Sequence, residues 1–180
     1  MTLPSWPRMP LTMHSMSTLG GDPATDVLFS PAAEQALLGQ ARALQAGAQH
    51  GALPPLLGGK RLGLMSRASG DEAARLFCRA AAELGAHVSL IEPRLDEDSD
   101  AQQVDELGRL LSRLYDAVEC QGLSPALVRR LGRAATIPVY EALAGDAHPS
   151  ARLAAQLPGE AAVADKRRWL LQAALLESVG

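Results

Sequence analysis

Along the chain, segments in which apolar residues recur at helical spacing trade places with short, continuously apolar runs. Ser30-Pro31 opens the first helical segment, with serine as cap and proline at the first helical position. Leu37, Leu38 and Leu44 line one side of it. "HGALPPLLGGK" reads as a loop and "RLGLM" as a short strand. A helix then runs to about Leu84, where Gly85 stops it. "AHVSLIE" is a second strand, and "PRLDEDSD" an acidic loop. "AQQVDELGRLLSRL" is helical, with Val104, Leu107, Leu111 and Leu114 at helical spacing. "YDAVEC" is a third strand. Ser124-Pro125 starts the helix "ALVRRLGRA", and "TIPVYEA" is a fourth strand. Beyond the loop "LAGDAHPS", Pro149 starts a short helix to about Leu157, which "PGE" breaks. The final segment, "AAVADKRRWLLQAALLESVG", is an amphipathic helix whose Trp169, Leu170, Ala173 and Leu176 require burial.

Strands alternating with helices mean βαβ units. With right-handed crossovers, the pattern predicts an α/β fold: an open doubly wound sheet of about four parallel strands with helices on both faces. Ligands in such folds sit beyond the carboxyl ends of the strands. Those ends carry Ser66 to Gly70, Glu92 to Asp100, Cys120 to Leu123 and Glu141 to His148.

Composition narrows the picture. With 180 residues, 47% of them apolar, one domain with a true core is expected. Aromatics are only 3%, so that core is Leu, Ala and Val. A net charge of −3 leaves no electrostatic footprint for nucleic acid. Cys78 and Cys120 are too few for a disulfide scaffold or a cysteine-based zinc site, and read as buried free thiols. His14, His50 and His87 have no metal spacing, and no Ser–His–Asp, Walker or dinucleotide-binding pattern occurs. No metal and no cofactor is therefore expected. Residues 1–26 lack a continuous apolar core, do not read as a secretory signal, and are expected to form a poorly ordered arm of a cytoplasmic protein. Residues 27–158 then form the α/β domain, and 159–180 a helix that packs back on it.

At the first strand-to-helix junction, "MSRASGDEAARLF", free helix N–H groups would suit an anion. The residues present argue for a self-sufficient cap instead. Ser69-Gly70-Asp71-Glu72 reads as a capping box, with Ser69 and Glu72 reciprocally bonded and Asp71 complementing the helix dipole.

Several motifs in this order resemble the carbamoyl-phosphate domain of the aspartate and ornithine carbamoyltransferases. "LLGGKRLGLM" is similar to the family's L-x-G-K strand entry, and "AAAELGAHVSLI" to the helix end and second strand after its phosphate loop. "VDELGRLLSRLYDAVE" resembles its D-T-x-x-x-L-x-x-x-Y-D-x-I segment. "ATIPVYEAL" with "HPS" resembles its S-V-P-V-x-N-x-L and H-P-x-Q block. The match runs from Ser30 to Leu157. "VADKRRWLLQAALLESV" resembles the closing helix that returns from the family's second domain, and that domain itself is missing between Glu160 and Asp165.

The resemblance implies a site whose key residues have changed. The family's S-T-R-T-R phosphate loop falls on Gly70-Asp71-Glu72-Ala73-Ala74, where no arginine or hydroxyl remains. Arg67 and Arg75 flank it. The arginine that meets the carbamoyl group falls on Gln121, the H-P-x-Q pair on His148 and Ala151, and a loop asparagine on Glu141. His148 alone is kept, and its simpler role is to cap the helix that follows. The acidic "DEDSD" lies where family trimers insert a basic loop into a neighbour's site. Vestigial substrate contacts are thus expected at Gly70, Asp71, Glu72, Gln121 and His148, with no catalytic residue. The leading expectation is a catalytically degenerate pseudoenzyme acting as a structural or regulatory subunit, as a homotrimer or in complex with an intact carbamoyltransferase. The alternatives are ornithine- or aspartate-type carbamoyl transfer retained with a partner chain, and a small-molecule module whose Asp71, Glu72 and Glu141 suit a cationic ligand.

Overall fold

The computed structural model describes residues 30–51, 53–67 and 70–180. Chain order is α1 (Pro31–Gln49), β1 (Arg61–Ser66), α2 (Glu72–Glu83), β2 (His87–Ile91), α3 (Ala101–Leu114), β3 (Ala117–Gln121), α4 (Pro125–Ala134), β4 (Val139–Glu141), a 3-10 helix (Pro149–Gln156) and α5 (Val163–Val179). Residues 1–26 lie outside the described residues.

Local chemistry sets the helix starts. The Ser30 hydroxyl accepts from the Ala33 N–H at 3.2 Å, and the Ser124 hydroxyl from the Leu127 N–H at 3.3 Å. Asp100 accepts from the Gln103 N–H at 2.8 Å. Each bond satisfies a donor that the first helical turn leaves orphaned. Gly85, at φ +83°, turns the chain out of α2 in a conformation that side chains resist.

The four strands form one parallel sheet in the order β2-β1-β3-β4. All of β3 is buried, while β2 runs along an edge. One face packs Leu62, Leu64 and Tyr140 under α1, α2, the 3-10 helix and α5, through Leu38, Phe77, Leu153 and Leu170. The other packs Met65, Val118, Cys120 and Val139 under α3 and α4, through Val104, Leu111, Leu127 and Leu131. The doubly wound α/β architecture expected from the pattern is therefore present. At about 1.5–3 kcal/mol for each fully buried large side chain, these two layers are the main source of stability.

Several details differ from the sequence reading. Leu114 is 43% exposed; Val104, Gly108 and Leu111 are the buried positions of α3, and Leu114 lies further round the helix. The glycine at 108 lets α3 approach the end of α4, since a Cβ there would stand 2.6 Å from the Ala134 Cβ. Cys78 is only half-buried, while Cys120 is buried, and both are free thiols. The helix after Pro149 is 3-10 rather than α.

The last helix begins at Val163 and is not amphipathic. Arg168 to Ala173 are all buried, because α5 lies against α1, α2 and the 3-10 helix at once. Leu176 is only partly buried. The polar members of that run find partners. The Arg168 guanidinium meets Glu83 at 2.9 Å and Asp165 at 2.5 Å. Gln172 donates to Glu83 at 2.9 Å and to the Ala80 carbonyl at 3.3 Å.

Candidate site at the carboxyl edge of the sheet

The strand order places β1 between β2 and β3. The connection from β1 to β2 runs through α2 on one face, and that from β2 to β3 through α3 on the other. The winding thus reverses between β1 and β3, and the crevice beyond their carboxyl ends is where such folds bind ligands. Ser66 and Gln121 face each other across those two strand ends.

Above this crevice, Gly70 sits at φ +103°, and its carbonyl accepts from Arg75 Nη1 at 2.5 Å. The helix starts at Glu72, and its cap is Asp71, whose Oδ1 accepts from the Ala74 N–H at 2.6 Å. This corrects the capping box. A cap bonds three residues ahead, so a helix beginning at Glu72 takes its cap from position 71. Ser69 lies outside the described residues. Glu72 becomes the first helical residue, exposed and favourably placed against the dipole. Arg67 points its Nη2 at the Leu95 carbonyl, 2.9 Å away.

Below, Gln121 ends β3 at 4% exposure. Its amide donates to Glu119 Oε1 at 3.2 Å, and its own Oε1 has no partner among the described residues. Glu119 is fully buried. Its carboxylate also accepts from the Leu143 N–H at 3.1 Å and the Ala144 N–H at 3.2 Å. Burial pushes its pKa up to about 7; the Ala144 N–H, the Gln121 amide and the Leu143 N–H pull the other way, and the Asp71 charge adds to the rise. The turn that supplies the two N–H groups contains Ala142 at φ +50°, a left-handed conformation costly for alanine.

His148 stands at the start of the 3-10 helix, where its Nδ1 accepts from the Ser150 N–H at 3.2 Å. Burial lowers its pKa to about 4, so it is a neutral ring at pH 7. Cys120 is buried, and desolvation raises its thiol to about 12, which leaves it unreactive. Burial likewise pushes the Tyr140 hydroxyl up.

Of the residues singled out from sequence, the fold brings Asp71 into the electrostatic reach of Glu119, which holds Gln121. Gly70 and Glu72 flank Asp71 on the exposed side. His148 is occupied with its own helix. Glu119 was not visible as a site residue. Its signal was a single carboxylate in "AVECQ", a strand that is otherwise buried throughout. The crevice offers acceptors and carboxylates, with the donors of the α2 N-terminus satisfied in part from within. Among the described residues, no group of three or more His, Cys, Asp or Glu could hold a metal ion, and no helix is long and apolar enough to cross a membrane.

No family model matches the chain. The chain is similar in sequence to ornithine carbamoyltransferases. It is 32% identical over 98 residues to that of Actinobacillus pleuropneumoniae serotype 5b, which covers 54% of this chain and 29% of the relative. It is 31% identical over 118 residues to that of Cutibacterium acnes, covering 66% of this chain and 35% of the relative. The chain thus spans about a third of the length of the curated relatives it matches. Its fold resembles ornithine carbamoyltransferase from Pyrococcus furiosus, with TM-score 0.60 and 22% identity over 74% of this chain and 42% of that one. It also resembles a putative aspartate carbamoyltransferase from Leishmania major, with TM-score 0.58 and 21% identity over 72% of this chain and 40% of that one. The resemblance read from the motifs is borne out in both sequence and fold.

Proposed function

We propose that this chain is a degenerate carbamoyl-phosphate domain of carbamoyltransferase type, serving as a structural or regulatory subunit rather than transferring carbamoyl groups. The observation that carries this reading is the Asp71 cap. At the junction where the resemblance puts a phosphate, a carboxylate accepts from the Ala74 N–H, one of the helix donors that would bind the anion. Glu119 and Gln121 add acceptors below it, and the resemblance puts the carbamoyl-binding arginine at Gln121. Two unit charges of like sign a few ångströms apart near a protein surface repel by several kcal/mol. The half-buried, neutral His148 supplies no charge to offset this.

Partnership follows from the same reading. The domain associates as a homotrimer or docks on an intact carbamoyltransferase, in the cytoplasm. Titration calorimetry with carbamoyl phosphate tests the site: no saturable heat is expected, and no product with ornithine or aspartate. Micromolar binding would end the pseudoenzyme reading. Light scattering tests the assembly: a strict monomer that ignores an intact carbamoyltransferase from the same cell would remove the subunit role.

A further inference from the structure

A second opening lies one strand over, on the β1–β2 side of the same edge. It is a cavity of about 310 Å³. Its apolar walls are Leu64, Ala74, Leu90 and Ile91. Leu64 and Leu90 are register partners on neighbouring strands, yet they differ sharply in surroundings. Leu64 is fully buried, while Leu90 is 67% exposed, the most exposed large apolar side chain of the sheet. An apolar group placed in the cavity would remove that leucine from water.

Two charges of opposite sign share the lining, Arg67 and Glu92. They form no ion pair with each other. Arg67 uses Nη2 on the Leu95 carbonyl, which leaves the remaining N–H groups of its fork unspent. Glu92 has no hydrogen bond or ion pair among the described residues. A cavity of this volume, with apolar and polar walls in about equal share, has room for a small molecule that carries both kinds of group. The unspent guanidinium edge calls for a carboxylate. The unspent carboxylate calls for an ammonium. The exposed leucine calls for a short aliphatic group.

We infer that this cleft binds a free α-amino acid with an aliphatic side chain, its carboxylate on Arg67, its ammonium on Glu92 and its side chain against Leu64 and Leu90. The inference rests on the cavity and its lining, and is independent of the subunit reading above. It requires no chemistry at the β1–β3 crevice.

The experiment is titration calorimetry of the full chain at pH 7 with L-leucine, 4-methylpentanoate, 3-methylbutylamine and glycine. L-leucine saturates one site, and each of the other three, lacking one of the three features, binds at least about tenfold more weakly. Both charged residues are at the surface, so Arg67→Gln and Glu92→Gln should keep the wild-type melting temperature. Arg67→Gln weakens L-leucine about tenfold or more and leaves the amine unchanged. Glu92→Gln weakens L-leucine similarly and leaves 4-methylpentanoate unchanged. Absence of saturation by L-leucine up to about 10 mM would overturn the site. So would equal binding of all four ligands, or a loss in the variants that does not follow the missing charge.

Discussion

Gln121 reaches back along its own strand to Glu119, 3.2 Å from amide nitrogen to carboxylate oxygen, on a face of β3 that water does not reach. The same carboxylate fastens the backbone of Leu143 and Ala144 beyond β4. One buried acid therefore joins the end of β3 to the turn that leads toward His148. Both Glu119 and His148 have displaced titrations, and they are displaced in opposite senses.

That opposition sets an expected pH profile. Glu119 titrates near 7 in the fold and near the ordinary carboxylate value when unfolded, so its stabilising share is full at low pH and is lost as pH rises toward 7. His148 titrates near 4 in the fold and near 6.5 when unfolded, so its share is full above 6.5 and is lost as pH falls toward 4. Between about pH 4.5 and 6.5 the two slopes, each about 1.4 kcal/mol per pH unit, cancel. Glu119→Gln should expose a stability that rises with pH across that window. His148→Asn, which keeps a cap, should expose one that falls. Urea unfolding at half-unit pH steps reads both, and parallel profiles for the two variants would refute the assignment.

The Ala142 turn gives a prediction of opposite sign from most substitutions. At φ +50°, alanine is held in a conformation that glycine adopts without steric cost. Ala142→Gly should stabilise the protein by about 0.5–1 kcal/mol, in spite of the extra freedom it gives the unfolded chain. Thermal and urea midpoints would move up together; a drop in both would mean that the turn is not strained.

Helix contact between α3 and α4 depends on the missing side chain at Gly108. An added Cβ would meet Ala134 at 2.6 Å on its Cβ and 2.9 Å on its carbonyl carbon. Backbone cannot swing aside as a side-chain tip can. Gly108→Ala should cost about 1–3 kcal/mol even though alanine is the better helix former. Gly39→Ala in α1, where a Cβ meets nothing within 4 Å, should instead gain up to about 1 kcal/mol. Equal effects of the two substitutions in chemical denaturation would contradict the close approach.

Removing α5 should be far more damaging than removing a terminal helix of ordinary amphipathic kind. Trp169, Leu170, Leu171, Ala173 and Leu175 are at most 6% exposed. A chain ending at Pro158 would uncover the facing surfaces of α1 and α2 and aggregate. Wild-type solubility and melting temperature in that truncation would show that α5 is dispensable.

What the sequence disclosed and what it hid divide along physical lines. Ser30-Pro31 and Ser124-Pro125 marked helix starts correctly, because a cap and the N–H that donates to it lie within four residues and need no tertiary context. Strand β1 was legible as a continuous apolar run from Leu62 to Met65, the pattern of a parallel strand covered on both sides. The α2 start was misplaced by two residues, since serine and aspartate are both good caps and only the backbone turn at Gly70 decides between them. Glu119 went unnoticed because its partners lie 24 and 25 residues further on, and no local spacing reports that. The surroundings of α5 were misjudged for a like reason. Arg168 and Gln172 look like a solvent face until Glu83, on another helix, is brought against them.

The placement of α5 also bears on how the molecule folds. Helices α1 and α5 lie side by side and share one core with β1. The segment from Trp169 to Val179 covers one flank of that core, and its contacts with α1 join parts of the chain far apart in sequence. Such non-local contacts form slowly, so this layer of the core closes late in folding, and the chain passes through a stage in which Leu38, Phe77 and Leu84 await their cover.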